Sequence, residues 1–304
     1  MKIEFLINNT GELYSFRTSN EEEEIEEFRI PSIVNGVKVE SIGDLRDAFF
    51  NLHKYGVKRI EKLIIEDSIK KIKAFAFSNI DIEIDTVVWP KSCKVIPHHC
   101  FAVSTIKAIV GIENVEKIGS SAFMWTLFKS FNWPAKCKVI PKECFSNCKN
   151  FERIENIEQV TQINAYAFYG TQLKRFSWPE KCKNISAGCF CECRCLERID
   201  GIEEVTDIGE DAFQSSAIKK FLWPASVSAT KNEEFLINCN HLEEIIFGGV
   251  GIKDVDLECL SYLKDVKKID LSKCGAVNLI NCSSPKGRKL RDKVVLPYYV
   301  TEIN

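Results

Sequence analysis

The residues with the most evident chemical potential lie in CFCECRC, where Cys189, Cys191, Cys193 and Cys195 crowd four thiols into one short stretch. Closely placed thiolates are ligands for zinc and softer metals, so a metal-binding protein at Cys189–Cys195 is one reading of the chain. A second candidate is His98-His99-Cys100, which brings together the residue types of a Cys-His nucleophile pair. A third is SPKGRKLRDK at 284–293, whose five basic residues against one acid could attract anionic lipid or nucleic acid. His53 and His241 have no recognisable orienting carboxylate. Neither a phosphate-cradling glycine loop nor a nucleophile elbow occurs in the sequence.

The elements that must position these residues repeat, and the repetition works as an internal control. Trp89-Pro90, Trp133-Pro134, Trp178-Pro179 and Trp223-Pro224 head near-copies of one block of about 45 residues, a period that indicates a solenoid. Aligning the blocks sets Cys189 on Cys144 and Cys193 on Cys148. Only Cys191 and Cys195 are then extra, at the places of Ser146 and Asn150. The alternating spacing also lacks the CxxC knuckle of zinc sites, so no metal and no cofactor is expected. His98-His99 aligns with Lys142-Glu143 and Ala187-Gly188, variable positions that predict surface histidines. No aromatic residue interleaves the charges of 284–293, which therefore reads as a solvated loop.

Each block splits into two similar coils. Coil starts fall at Ile25, Ile60, Ile84, Ile106, Phe128, Phe151, Leu173, Leu196, Ile218, Leu242, Val266 and Arg291, spaced by about 22 to 24 residues in the middle of the chain. The apolar-x-apolar stretch that follows is the strand. Tryptophan is expected to point inward from it, and the proline ends it because proline cannot donate the next ladder hydrogen bond. Val139-Ile140-Pro141, Val160 and Ile163 should supply inward residues on the return limb. Phe123, Phe145, Phe168, Phe190 and Phe213 should stack as a buried spine. Cys93, Cys137 and Cys182 recur on every second coil, about 10 Å apart by strand spacing. That exceeds the reach of a disulfide and makes them small packing residues.

With 304 residues, 45% of them hydrophobic, the chain can bury a continuous core, and one domain throughout is expected. Residues 1–24 read as a strand-turn-strand cap, and residues 25–304 as a solenoid of about 12 coils. DLRDAFFNLHKYGVKRI interrupts the spacing and is expected to hold a short helix. Glu21–Glu27, six glutamates around Ile25, is expected to be a solvated edge or loop. A net charge of −2 argues against nucleic acid as a partner. No apolar run is long enough to span a bilayer, and the N-terminus does not look like a signal peptide. Fourteen cysteines without such a signal lean toward reduced thiols. The expected location is cytoplasmic, with the cell surface or secretion by a non-classical route as the alternative.

The elements IPSIVNGVKVESIG, IGSSAF and AFYGTQLKRFSWPEKCKNISAGCF resemble the BspA-like class of leucine-rich repeats, and the likeness recurs over about residues 25–304. Cys148, Cys193 and Cys239, set before Phe151, Leu196 and Leu242, occupy that family's cysteine position. The resemblance implies an α/β horseshoe-type solenoid: a right-handed superhelix with short parallel strands on the concave face and mostly irregular convex segments. It also implies a recognition or adhesion role, with no catalytic residues to transfer.

Solenoids commonly bind through the strand face. The outward strand positions form a basic ladder, Arg153, Arg175, Arg198 and Lys220, flanked by Asn132, Glu155, Ser177 and Asp200. These eight residues are the candidate binding site of a non-enzymatic, monomeric module for a protein partner. The ladder reads first as a self-compensated charged sheet, with a recognition stripe for an acidic partner segment, for which arginine suits bidentate contact, as the alternative. An exported surface or adhesion protein is the alternative for the whole chain.

Overall fold

The structure, a computed structural model, describes residues 3–18, 23–229, 234–263 and 265–303. The chain divides into two compact units, Met1–Gln159 and Val160–Asn304.

In the first unit Ile3–Ile7 and Glu12–Thr18 form an antiparallel hairpin. Parallel coils follow it. Strand Glu24–Ile30 pairs with Arg59–Ile65, which pairs with Glu83–Val88 and then Ile106–Val110. The registers Ile25↔Ile60, Ile60↔Ile84 and Ile84↔Ile106 set the expected coil starts directly beside one another. Ser130–Asn132 pairs with Arg153–Glu155 in the same manner. The acidic stretch enters the described residues at Glu23, and from Glu24 it is an edge strand that buries Ile25 and exposes its glutamates. The interruption before Ile60 contains the helix Arg46–Lys54, which buries Ala48, Phe49 and Leu52.

In the second unit Arg175–Ser177 pairs with Arg198–Asp200. Further on, Lys220–Trp223, Glu244–Phe247, Lys268–Asp270 and Val294–Val295 run side by side in parallel, as do Asp254–Asp256, Val277–Ile280 and Val300–Ile303. Among the described residues no helix is long and apolar enough to cross a membrane. Both units are parallel-stranded β-solenoids with largely non-helical turns.

The Trp-Pro motif has a specific mechanical role. Trp89, Trp133, Trp178 and Trp223 are all buried, and each indole N–H donates to the carbonyl four residues on, at Cys93, Cys137, Cys182 and Val227, over 2.8–3.0 Å. The same four residues return their backbone N–H to the carbonyl of Pro90, Pro134, Pro179 and Pro224 at 2.9–3.1 Å. The spacing from tryptophan to cysteine is thus one turn closed twice, and the fourth copy closes it with valine. Of Val139 and Ile140 on the return limb, Ile140 is buried while Val139 is exposed.

The phenylalanines stack within each unit. Phe77, Phe101, Phe123 and Phe145 follow one another at centroid spacings of 5.3, 6.0 and 5.5 Å, and Phe168, Phe190 and Phe213 at 5.6 Å each. Burying each such ring contributes about 1.5–3 kcal/mol by transfer alone.

The turn segments that carry this spine belong to neither strand nor helix, yet they are regularly bonded. Phe75, Phe77 and Asn79 donate backbone N–H to His98, Cys100 and Ala102 of the next coil. His99, Phe101 and Val103 do the same to Ser120, Ala122 and Met124. In most of these turns two residues four apart take positive φ, among them Phe75 (63°), Val103 (57°) and Trp125 (60°). That conformation is costly for bulky or Cβ-branched side chains and is held here by the inter-coil bonds. The glycine of Ile-Gly has a steric cause, since a Cβ on Gly119 would lie 2.3 Å from the His98 nitrogen.

Candidate functional site

On each strand the middle residue turns inward and its neighbours turn outward, as the two-residue period of a strand requires. Phe131, Phe176, Ile199 and Phe221 are buried, while Asn132, Arg153, Glu155, Arg175, Ser177, Arg198 and Lys220 are exposed and Asp200 is half-buried. In the first unit Ser130 stands opposite Arg153 and Asn132 opposite Glu155. Arg153 Nε reaches Glu155 of its own strand at 3.0 Å, and Asn132 accepts a hydrogen bond from the Asn156 amide.

In the second unit Arg175 stands opposite Arg198 and Ser177 opposite Asp200. Arg198 Nε donates to Asp200 Oδ1 at 2.7 Å, and Lys220 Nζ to Glu244 Oε2 at 2.7 Å. Arg175 has no ion pair among the described residues, although a like charge lies directly across the ladder.

The next coils are more tightly compensated. Glu244 also accepts from Lys268 at 2.8 Å, and Lys268 donates to Asp270 at 2.8 Å. These bonds act on the charges themselves. The ammonium of Lys268, with Ser272 behind it, holds the Asp270 carboxyl down to about 2. Asp270 and Glu244 together hold the Lys268 ammonium up to about 12. Lys220 and then Lys268 lower Glu244.

The thiols take no part in such chemistry. Of the CFCECRC group, Cys189 is fully buried and the other three S–H groups aim at separate acceptors. Cys191 donates to Gln214 at 3.1 Å, Cys193 to the Phe168 carbonyl at 3.0 Å and Cys195 to Gln172 at 3.0 Å. Burial, with Glu192 and Asp211 nearby, pushes the Cys191 thiol up to about 12, the opposite of what a metal ligand needs. Cys148, Cys193 and Cys239 donate to the carbonyls of Phe123, Phe168 and Phe213 in the preceding coil at 3.0, 3.0 and 3.1 Å. All fourteen cysteines are free, and only Cys195 and Cys259 are not buried. No group of three or more His, Cys, Asp and Glu among the described residues could hold a metal.

His98 is exposed and His99 half-buried, while Cys100 is completely buried, its thiol raised well above the usual range by desolvation. The two histidines instead form an aromatic cluster that sequence reasoning missed. His99 stacks on Phe75 at 4.8 Å, His98 meets the same ring edge-on at 5.3 Å, and the Arg46 guanidinium lies 5.5 Å from its centre. Burial, then His98, lowers the His99 pKa. Alignment could not reveal this cluster, because Arg46 comes from the inserted helix, outside the repeat. The basic stretch 284–293, read as a loop, contains the helical turn Arg288–Arg291 and buries Leu290.

The model of the BspA type leucine rich repeat region (6 copies) matches residues 17–152, 116–243 and 161–283, nearly the whole chain. The chain belongs to this family. Its fold is similar to two solved structures. One is a leucine-rich repeat protein from Bacteroides ovatus (21% identity, TM-score 0.66, covering 100% of this chain and 89% of that one). The other is a leucine rich cell surface protein from Faecalibacterium prausnitzii (19% identity, TM-score 0.52, covering 99% and 93%). No curated protein matches the chain. As a BspA-type repeat chain it is a scaffold of the interaction or adhesion class, and the thiols and histidines described above serve as packing and turn residues.

Proposed function

We propose that this BspA-type chain recognises a protein partner through the outward residues of its strand ladder, and that the acidic part of the partner docks on the second unit at Arg175, Ser177, Arg198, Asp200 and Lys220. The observation that carries this reading is Arg175: an exposed guanidinium facing Arg198 across the ladder, with no ion pair among the described residues. Arg198 is paired with Asp200 of its own strand, which leaves the Arg175 guanidinium on this rung to meet an incoming carboxylate with bidentate hydrogen bonds. In the first unit Asn132, Arg153 and Glu155 present a neutral, self-paired surface of their own.

Display at a cell surface is the setting we favour over the cytoplasm. The Faecalibacterium protein of similar fold is described as a leucine rich cell surface protein, which supports surface display as the setting. The thiols are compatible with that setting. Twelve of the fourteen are buried and donate or pack internally, so they resist oxidation in any compartment, and a count of free thiols would not distinguish the two locations.

Two experiments test the proposal. Labelling of intact native cells with a membrane-impermeant amine reagent should modify this protein; labelling only after lysis would overturn surface display. Capture from native material on the immobilised protein should retain a specific partner on wild type and lose it on the Arg175→Glu, Arg198→Glu double variant. Equal retention by both would overturn the ladder site.

A further inference from the structure

We infer that the second unit contains a small-molecule site for a phosphate-bearing ligand, in the cleft between the turn 258–263 and the basic segment 286–293. This cleft encloses about 730 Å³ and lies outside the strand ladder. Lys286, Lys289 and Lys293 line it, facing the side chains of Ser261 and Tyr262, while Leu263 and Leu290 provide an apolar floor. Its volume is that of a pocket for an organic ligand, and its lining combines an apolar surface with a few convergent polar groups.

Both walls are built firmly. Asp256 Oδ1 accepts the backbone N–H of Glu258 at 2.8 Å and of Cys259 at 3.3 Å, and Asp256 Oδ2 accepts from the Asn281 amide at 2.9 Å, which fixes the first wall. On the other wall Ser284 Oγ accepts the N–H of Gly287 at 2.9 Å, Leu290 is buried and Arg291 is tied to Glu302. Arg291 is therefore held in an internal pair and Arg288 does not line the cleft, whereas Lys286 and Lys289 line it and make no ion pair among the described residues. Glu234 and Glu258 also line the cleft, yet neither neutralises those two ammonium groups.

Lysine ammonium groups are compact, strongly hydrated charges suited to phosphate oxygens rather than to flat bidentate acceptors. The hydroxyl of Ser261 can donate to a further oxygen, and the leucines would receive the organic body of the ligand. Lys286 and Lys289, three residues apart at the start of the helical turn Arg288–Arg291, line the same cleft and can both approach one anion. A soluble phosphate monoester is the ligand class that uses all of these features at once.

Cys259 also lines the cleft and is one of the two thiols that are not buried, so it reports occupancy. The probe is phenyl phosphate, and the readout is the alkylation rate of Cys259 by iodoacetamide in the full chain, followed by peptide mass spectrometry. Cys195 serves as the internal control for unfolding. With phenyl phosphate at twice its Kd the open fraction falls to about one third, so Cys259 should react about threefold more slowly and Cys195 at its original rate. The Lys286→Glu, Lys289→Glu double variant, altered only at exposed side chains, should lose the protection. The phosphorus resonance of phenyl phosphate should shift with the wild type alone, a second readout that needs no alkylation. The inference is overturned by equal protection from phenol, by undiminished protection in the double variant, or by no protection together with no resonance shift. Protection by phosphatidylglycerol vesicles without protection by phenyl phosphate would also overturn it.

Discussion

Each coil has an inner column and an outer one, and they obey different rules. Inward positions repeat almost without change: a tryptophan that closes a turn, a phenylalanine that stacks on the next, a thiol that donates to the preceding coil. Outward positions are held less strictly: Ser130 gives way to Arg153 and Asn132 to Glu155 in one unit, and in the other Ser177 gives way to Asp200 while Arg175 is followed by Arg198 and Lys220. Stacking identical coils forces repetition on whatever lies between them and places no such demand on side chains that face water. Repetition therefore marks what holds the fold, and the outward positions, free of that demand, are the ones proposed to meet a partner.

The largest test of that contrast removes one ring from the spine. Phe123→Ala should destabilise the protein by about 3–5 kcal/mol in urea denaturation, because the ring is fully buried against Phe101, Phe128, Phe131 and Phe145. A loss similar to that of a surface substitution would break the division into inner and outer columns. Trp133→Phe keeps most of the packing but leaves the Cys137 carbonyl without its indole donor, and should cost about 1–3 kcal/mol by the same measurement.

Asp270→Asn probes the outer column where it is most tightly paired, and roughly 1 kcal/mol at neutral pH is expected for a partly exposed pair. The sign with pH follows from the direction of the shift. Asp270 titrates near 2 in the folded chain and near 3.9 when unfolded, so its contribution is complete above about pH 4 and lost as the pH falls through about 2. Thermal melts of wild type and variant should differ at pH 6 and converge near pH 2. A constant difference across that range would mean that the Lys268 pair is not its source. Cys137→Val should have the smallest effect, under about 1 kcal/mol, because Val227 already fills the same place in the fourth block. A larger loss would give the thiol a role beyond packing.

The period and its spacing made the inner column legible. Coil starts at Ile25, Ile60, Ile84 and Ile106 fall into direct register because strands of parallel coils align on the same inward residue. The turn columns were not legible, since positive φ is ordinarily announced by glycine or asparagine. Here Phe75, Val103 and Trp125 adopt it under the constraint of bonds from the next coil, which no local pattern encodes. The cleft was hidden for a related reason: its basic segment was visible as composition, but the opposing turn lies more than twenty residues away and outside the regular repeat. Which outward charges stay unpaired was equally unreadable, because Arg198 chose the acid of its own strand and Lys220 that of the next coil.

The claim that function lies on the non-repeating face is tested most directly by measuring, on the same samples, the affinity of the captured partner and the melting temperature for wild type and for Arg175→Glu, Arg198→Glu. The account predicts a loss of at least about tenfold in affinity, or ~1.4 kcal/mol, with the melting temperature unchanged within about 2 °C. An unchanged affinity in a variant that melts with wild type would contradict it.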